Sequence, residues 1–522
     1  MNLFRHAYKI SFFTGLSRLL GFVREILMAH FFGTTLAKSA FDIAFTVPNL
    51  FRRLFGEGAL SAAFVPVFTE TLEKEGQAAA QKLAGKMATL LATVLIMISV
   101  GTVGIISIAI NHASLGEKTA AVLPLLRIMF PYMFCICMVA LCMGILNASH
   151  RFSLPAATPM LLNIGWIAAL FLLCPHFGTT VSEQIYGVAW GILIAGILQL
   201  ALQIPALLQC NMWPQFSFSW NDPHIQRILL LMGPAAIGMG IHQLNVIVDK
   251  LLAFWVGDWA PAALTFSERL IYLPLGIFAT ALSTVLLPTF SRQAARANLS
   301  EIATTMATSI KGLMLIMIPA TVGLMALAAP IVQLSFEGGK FTSESTLLTS
   351  RALWFYAPGL IVFSLYKMLV PAFYALKDTK TPVRIGIYAV LLNLALNILF
   401  IKTWPNGYKH AGLACATVIA SGANCIALAI LISKRIGAIG WANLFFSFIK
   451  ITLAALIMGI IVAYTARMLP THIPQFSQVT KPGQFLTVIA SIAIGILAYA
   501  LAVLSLCRQE CRALQVARRN RA

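Results

Sequence analysis

Long apolar runs recur along the whole chain and limit what it can fold into. About fourteen runs of roughly 20 residues stand between segments marked by charge, glycine or proline. Of the 522 residues, 59% are hydrophobic and only 10% are charged, whereas soluble domains average about half and a quarter. Since a bilayer tolerates no unpaired backbone groups, such runs predict spanning α-helices, while barrel strands would alternate over about 10 residues. The predicted fold class is therefore an all-α, polytopic membrane protein.

The predicted spans cover most of the sequence. They lie at 11–32, 41–68, 87–110, 122–146, 155–173, 185–208, 228–255, 262–290, 313–334, 352–376, 383–401, 411–432, 445–466 and 485–506. The second and the eighth depart most from a plain apolar run, because each contains charges and a proline. The first is interpreted as a retained span, since it carries arginines and lacks a signal-peptide cleavage pattern.

The basic residues predict the topology of these spans. The formal net charge is +20, which by itself fits either a nucleic-acid partner or a membrane topology signal. With both termini cytoplasmic, 20 of the 37 Lys and Arg residues lie in inside segments. Only six lie outside, among them Lys38 and Lys118. This asymmetry follows the positive-inside rule, so no nucleic-acid partner is needed to explain the charge.

An internal repeat predicts two halves. Pro48 corresponds to Pro274 and Pro66 to Pro288, at a constant separation of about 225 residues. The predicted organisation is a six-helix half at 1–209, an interfacial amphipathic linker at 210–227, a second six-helix half at 228–433, and an additional helix pair with a basic tail at 434–522. The linker is placed at the membrane surface by its aromatic side chains: Trp213, Phe216, Phe218 and Trp220.

Charged residues inside the first span mark one polar helix face. At 100° per residue, one arc of the helix collects Thr14, Ser17, Arg18, Gly21, Arg24 and Glu25. Arginine within a membrane is costly unless it lines a cavity or finds a partner. Gly21 at the centre of the arc predicts room for a bulky group. The alternative is structural, with either arginine snorkelling to the interface or pairing with Glu25.

Three further spans repeat this pattern. Their polar residues include Arg52, Arg53 and Glu57 in the second, Asp249 in the seventh, and Glu268 and Arg269 in the eighth. Because these spans are related by the repeat, we expect their polar faces to meet in one cavity between the halves. Arginines outnumber acids there, and a guanidinium matches phosphate oxygens. The pattern predicts an anionic cargo, a phosphate or diphosphate. Lys367, a lone cation in the tenth span, is either functional or snorkels.

Motifs for catalysis are lacking in the sequence. It contains no GxxxxGK[ST] phosphate loop, no HExxH and no GxSxG, and its nine cysteines form no paired CxxC set for zinc. The prediction is a transporter that is not an enzyme, with no cofactor, no metal site and no catalytic residue.

Several strings resemble the MurJ (MviN) family of bacterial lipid II flippases. They are SRLLGFVR at 17–24, PNLFRRLFGEGA at 48–59, AFVP at 63–66, Glu268-Arg269 ahead of a Pro-Leu-Gly turn, and FYALKDTKTP at 373–382. The likeness extends over nearly the whole chain. It implies membership of the multidrug/oligosaccharidyl-lipid/polysaccharide exporter superfamily, and transport of undecaprenyl-diphosphate disaccharide pentapeptide (lipid II) across the bacterial inner membrane by alternating access, for peptidoglycan biosynthesis and cell shape.

The resemblance also assigns roles. Arg18, Arg24 and Arg269 would contact the diphosphate, with Arg52 and Arg53 at the portal. The supporting and gating residues would be Ser17, Glu25, Asp42, Glu57, Asp249 and Glu268. Family members often carry Asp where this chain has Ser39, so Asp42 is predicted to substitute for it. Lipid II and membrane lipids are the implied partners, while a coupling ion and other cell-wall synthesis proteins stay open. The alternatives are a flippase for another lipid-linked oligosaccharide and a drug/cation antiporter of the same superfamily.

Overall fold

The computed structural model describes residues 2–56, 59–219, 221–437, 439–476 and 480–506. These residues are almost entirely helical, and they contain no β-strand. The prediction of an all-α polytopic fold is confirmed. The chain divides into two compact units, Met1–Ala262 with Gly338–Lys340, and Ala263–Glu337 with Phe341–Ala522.

The first unit contains nine helices. They are α1 (Asn2–Phe32), α2 (Leu36–Phe51), α3 (Ala59–Glu75), α4 (Gln77–His112), α5 (Glu117–Met129), α6 (Tyr132–Ala148), α7 (Ser153–Leu172), α8 (Val181–Gln209) and α9 (Pro223–Val256). At its centre is α6, most of whose side chains are buried, from Tyr132 to Leu146. It packs against α3, α4 and α8. Helix α9 packs against α2 and α3 in this same unit, although the sequence repeat assigns it to the second half. The predicted domain boundaries stay a prediction.

The second unit begins within α10 and contains the remaining helices. They are α10 (Ala260–Pro274), α11 (Thr280–Ala295), α12 (Leu299–Ala326), α13 (Ala328–Phe336), α14 (Ser343–Tyr356), α15 (Gly359–Ala375), α16 (Lys380–Thr403), α17 (Lys409–Ile436), α18 (Trp441–His472) and α19 (Lys481–Leu506). The last two pack against each other, and α18 also lies along α12. This is the additional helix pair that the sequence predicts. The predicted span 313–334 is displaced, because α12 ends at Ala326 and α13 follows as a separate short helix.

Backbone breaks occur at matching places in the two halves of the sequence. A π-helical turn at Arg52–Gly56 separates α2 from α3, and another at Leu275–Ala279 separates α10 from α11. Each lies within about one turn after a paired proline, Pro48 or Pro274, which cannot donate to the helical ladder. Likewise α5 and α6 bend by 40°, and α14 and α15 by 44°. Pro131 and Pro358 occupy these two bends. The order of helices and breaks thus supports a duplication.

The number of spans is only partly settled by length and apolarity. Within the described ranges, nine helices could cross a membrane, and the number rises to eleven if each bent pair is one span. The other three predicted spans correspond to α1, to α2 with α3, and to α9. All three carry charged residues along their length, which lowers their apolarity. The count of fourteen stays a prediction.

The segment between α8 and α9 is an irregular strap lying along α4. The Gln77 and Gln81 side chains donate to the carbonyls of Cys210 and Trp213, at 3.0 and 2.9 Å. Further along, the Ser217 amide donates to Thr89 Oγ1 at 3.0 Å. The Phe216 and Phe218 side chains are exposed, which agrees with a position at the membrane surface. Trp220 lies outside the described residues, and α9 already begins at Pro223, so the strap is shorter than the predicted 210–227.

Candidate functional site

Arg24 is buried on α1 among partners from its own helix and from α7. Its guanidinium donates to Asn163 Oδ1 at 2.9 Å and to Glu25 Oε1 at 2.6 Å. The guanidinium carbon also lies 4.1 Å from the centre of the Trp166 ring. Arg24 and Glu25 are 7% and 3% exposed. Hydrogen bonds from both terminal nitrogens of the guanidinium, together with the cation–π contact, compensate for the cost of burying the charge. The pairing with Glu25, which was the structural alternative predicted from the sequence for this arginine, is therefore present.

Asn163 also holds the neighbouring turn of α1. Its side-chain amide donates to the carbonyl oxygen of Ser17 at 3.0 Å and approaches Ser17 Oγ at 3.4 Å. A Cβ added to Gly21 would lie 3.8 Å from the same side chain. The space expected at Gly21 for a bulky group is therefore occupied by Asn163. One amide thus ties together two turns of the polar face and orients Arg24.

Arg18 differs from Arg24 in its exposure. Its side chain is exposed, while Ser17 is half-buried. Six residues separate the two arginines on the same polar arc of α1. The polar face predicted from the sequence therefore presents one accessible arginine and one that is held inside the first unit.

A second buried charge pair lies in α2. Lys38 Nζ donates to both carboxylate oxygens of Asp42, each at 2.6 Å, one turn apart along the helix. The distribution of basic residues predicts that Lys38 lies in an outside segment, but its side chain is only 1% exposed. Lys250 of α9 also approaches the Asp42 carbonyl oxygen at 3.3 Å. Ser39 Oγ accepts a hydrogen bond from the Ala262 amide at 3.3 Å. That Asp42 replaces an acid at Ser39 stays a prediction.

The portal arginines lie at the π-helical turn. Arg52 Nε donates to Asn49 Oδ1 at 2.8 Å, and Arg53 Nη1 donates to Gln243 Oε1 of α9 at 3.3 Å. Both arginines are half-buried. Glu57, predicted to act beside them, lies outside the described residues. Further along α9, Asn245 donates to Asp249 at 3.2 Å. The first unit thus has polar contacts linking α9 to the turn after α2.

In the second unit the predicted residues lie on α10. Glu268 accepts a hydrogen bond from the Tyr272 hydroxyl at 2.5 Å, one helical turn later. Arg269 is exposed, and the π-helical turn begins six residues after it. Lys367 of α15 donates to Thr280 Oγ1 at 2.9 Å, at the start of α11. Lys367 is therefore bound to a neighbouring helix.

Sequence reasoning missed three contributors to this arrangement: Asn163, Trp166 and Lys38. The role of Asn163 could have been inferred from the sequence, since a side-chain amide within an apolar span needs a hydrogen-bond partner. The pairing of Lys38 with Asp42 could also have been inferred, because their spacing of four residues places them on one helix face. The contact of Trp166 with Arg24 could not, because an aromatic side chain in a span ordinarily packs against other apolar side chains. In the described part of the chain, no group of three or more His, Cys, Asp or Glu residues could hold a metal ion.

Comparison with known proteins extends these observations. The family model described as lipid II flippase MurJ matches residues 28–482. The lipid II flippase MurJ of Burkholderia cenocepacia is 34% identical over 444 residues, 83% of this chain and 84% of that protein. The probable lipid II flippase MurJ of Buchnera aphidicola is 33% identical over 474 residues, covering 90% and 91%.

Solved structures agree with the sequence matches. A lipid II flippase MurJ in an inward closed conformation aligns with a TM-score of 0.78 at 27% identity, over 96% of this chain and 99% of that one. A multidrug resistance MATE family transporter of the MOP superfamily, inward-facing, aligns with a TM-score of 0.64 over 81% and 95%. At 17% identity the second likeness shows a shared fold alone.

The helices repeat along the chain, are interrupted near prolines and carry charged residues. These features define a polytopic membrane protein with the fold that the two solved structures share. Among proteins of this fold, the match over residues 28–482 points to one family. The chain belongs to the lipid II flippase MurJ family.

Proposed function

We propose that this protein moves lipid II from the cytoplasmic to the periplasmic face of the bacterial inner membrane by alternating access, as a transporter and not an enzyme. Membership of the MurJ family carries the proposal, because the relatives that match over most of the chain are named lipid II flippases. The proposed topology has both termini in the cytoplasm, following the distribution of basic residues.

The charged residues support an anionic cargo. Arg18 and Arg269 are exposed, so both guanidinium groups are accessible to a diphosphate. Arg24 is held by Glu25 and Asn163. We propose that a diphosphate replaces the Glu25 carboxylate at Arg24, since both groups are anions that accept charge-assisted hydrogen bonds from a guanidinium. Neutralisation of the diphosphate would then favour the switch between inward and outward states, because a ligand shifts a conformational equilibrium through its differential affinity.

Complementation tests this proposal. The gene is expressed in a strain depleted of its own lipid II flippase, with the Arg24→Ala/Arg269→Ala variant beside it. We expect the parent to restore growth and the double variant to fail while reaching the membrane in equal amount. Arg296→Ala is the matched control, since Arg296 is an exposed arginine at the end of α11. Growth with the double variant would contradict the arginine roles, and failure of the parent would contradict the cargo.

A further inference from the structure

A cavity of about 540 Å³ lies within the second unit, formed by four helical segments and one loop residue. The segments are the last turn of α12, the first turn of α13, the second half of α14 and the last third of α18, and the loop residue is Tyr408, just before α17. The volume lies in the usual range for small-molecule sites, about 300–1,000 Å³. None of the arginines discussed above lines this cavity, so it is a separate candidate site.

Two arginines give the cavity its charge. Arg351 of α14 donates through Nη1 to the Gly407 carbonyl oxygen at 3.0 Å, and its guanidinium carbon lies 4.4 Å from the centre of the Tyr408 ring. Arg467 of α18 lines the same cavity and is exposed. No acidic side chain is among the lining residues, and neither arginine is ion-paired with an acid that the structure describes. The cavity is therefore cationic.

The length of α18 indicates that the cavity lies at the level of lipid headgroups. Arg467 directly follows the apolar stretch predicted at 445–466, and it comes 26 residues after Trp441, where α18 begins. At 1.5 Å per residue this is about 39 Å, more than the roughly 30 Å hydrocarbon core. The side chains of Trp354 and Tyr408 are exposed to 46% and 39%. Such rings concentrate at the boundary between hydrocarbon and headgroups.

The remaining lining favours an amphiphile. Apolar side chains form one wall: Met325, Ala326, Ala463 and Ala466. The first residues of α13, Ala328 and Ala329, contribute a helix N-terminus that has no side-chain cap. A free phosphate ion would use the arginines but leave the apolar wall and the exposed rings without a role.

We propose that this cavity binds the phosphate headgroup of an anionic glycerophospholipid, at the membrane face opposite Lys434 and Arg435. The two guanidinium groups match phosphate oxygens, and the apolar wall contacts the glycerol and the first part of the acyl chains. This role does not depend on which substrate is transported.

Native mass spectrometry of the full-length protein in neutral detergent tests the proposal, with phosphatidylglycerol as the probe. We expect Arg467→Gln to weaken the tightest phosphatidylglycerol site about tenfold, as loss of one charge-assisted contact implies. Two matched controls keep that site: Arg296→Gln, which removes an exposed charge elsewhere in the unit, and Arg18→Gln, which alters the proposed transport site. Inorganic phosphate at the same concentration should not displace the lipid.

Three results would overturn it. The first is unchanged lipid affinity in Arg467→Gln. The second is an equal loss in Arg296→Gln, which would mean non-specific attraction. The third is displacement by inorganic phosphate, which would mean a site for free ions. Arg351→Gln is a second variant, but Arg351 also contacts Gly407 and Tyr408. If that variant fails to fold, Arg467→Gln alone decides the outcome, because the Arg467 side chain has no hydrogen bond or ion pair to any residue that the structure describes.

Discussion

The Lys38–Asp42 pair gives the sharpest prediction about stability. Both side chains are buried, at 1% and 9% exposure, and Nζ lies 2.6 Å from each carboxylate oxygen. Removing either partner breaks this buried ion pair inside the first unit, which costs about 3–5 kcal/mol. Replacing both by apolar side chains removes the desolvation cost together with the attraction, so the double variant should be about as stable as the parent or more stable, by up to about 4 kcal/mol. We therefore expect Asp42→Leu and Lys38→Met each to destabilise strongly, and the double variant to recover.

Unfolding in mixed micelles with increasing SDS would measure these free energies. The double-mutant cycle should give a coupling energy of about 3 kcal/mol or more. The exposed pair of Lys74 and Glu70 is the matched control, since it has the same spacing at 72% and 37% exposure. Lys74→Met should cost less than about 1 kcal/mol. If the two single losses in α2 simply add in the double variant, the pair is not coupled and the reasoning is refuted.

Three further predictions follow from contacts in the first unit. Asn163→Leu removes the acceptor for Arg24 and the donor to Ser17, so it should cost about 1.5–3 kcal/mol in the same SDS assay, while Asn147→Leu at an exposed position costs little. Gly85→Ala should release the strap, because its Cβ would overlap the Gln215 carbonyl oxygen; limited proteolysis should then cut at 212–219, whereas Gly101→Ala, with open space, leaves cleavage unchanged. Burial would raise the pKa of Asp222, but hydrogen bonds from Lys86 and the His224 amide outweigh it and hold the pKa below its ordinary value. The ion pair between Lys86 and Asp222, at the end of the strap, should therefore be fully present above about pH 3.9 and be lost as the pH falls further. Pepsin cleavage at 212–219 should rise with acid in the parent, and a similar rise in Asp222→Asn would contradict this assignment.

Much of the architecture follows from local sequence alone. Apolar runs of spanning length determined the helices of both units, because a bilayer allows few alternatives to a helix. Paired prolines at 48 and 274 determined where the backbone breaks, since a proline has no N–H and removes a hydrogen bond from its own helical turn. The polar face of α1 was readable from a period of 3.6 residues, and the family followed from strings such as PNLFRRLFGEGA.

Tertiary structure decided the state of each charge. Arg18 and Arg24 share one face of α1 and look alike in sequence, yet the first is exposed and the second is enclosed by Asn163 and Trp166 of α7. The sequence predicts an outside position for Lys38, whereas its burial depends on the helices that pack around α2. Packing also brings together Arg351 and Arg467, which lie 116 positions apart in the sequence and line one cavity. Helical periodicity tells which residues share a face, but only packing determines what that face meets, and the free energy of a buried charge depends on its neighbours.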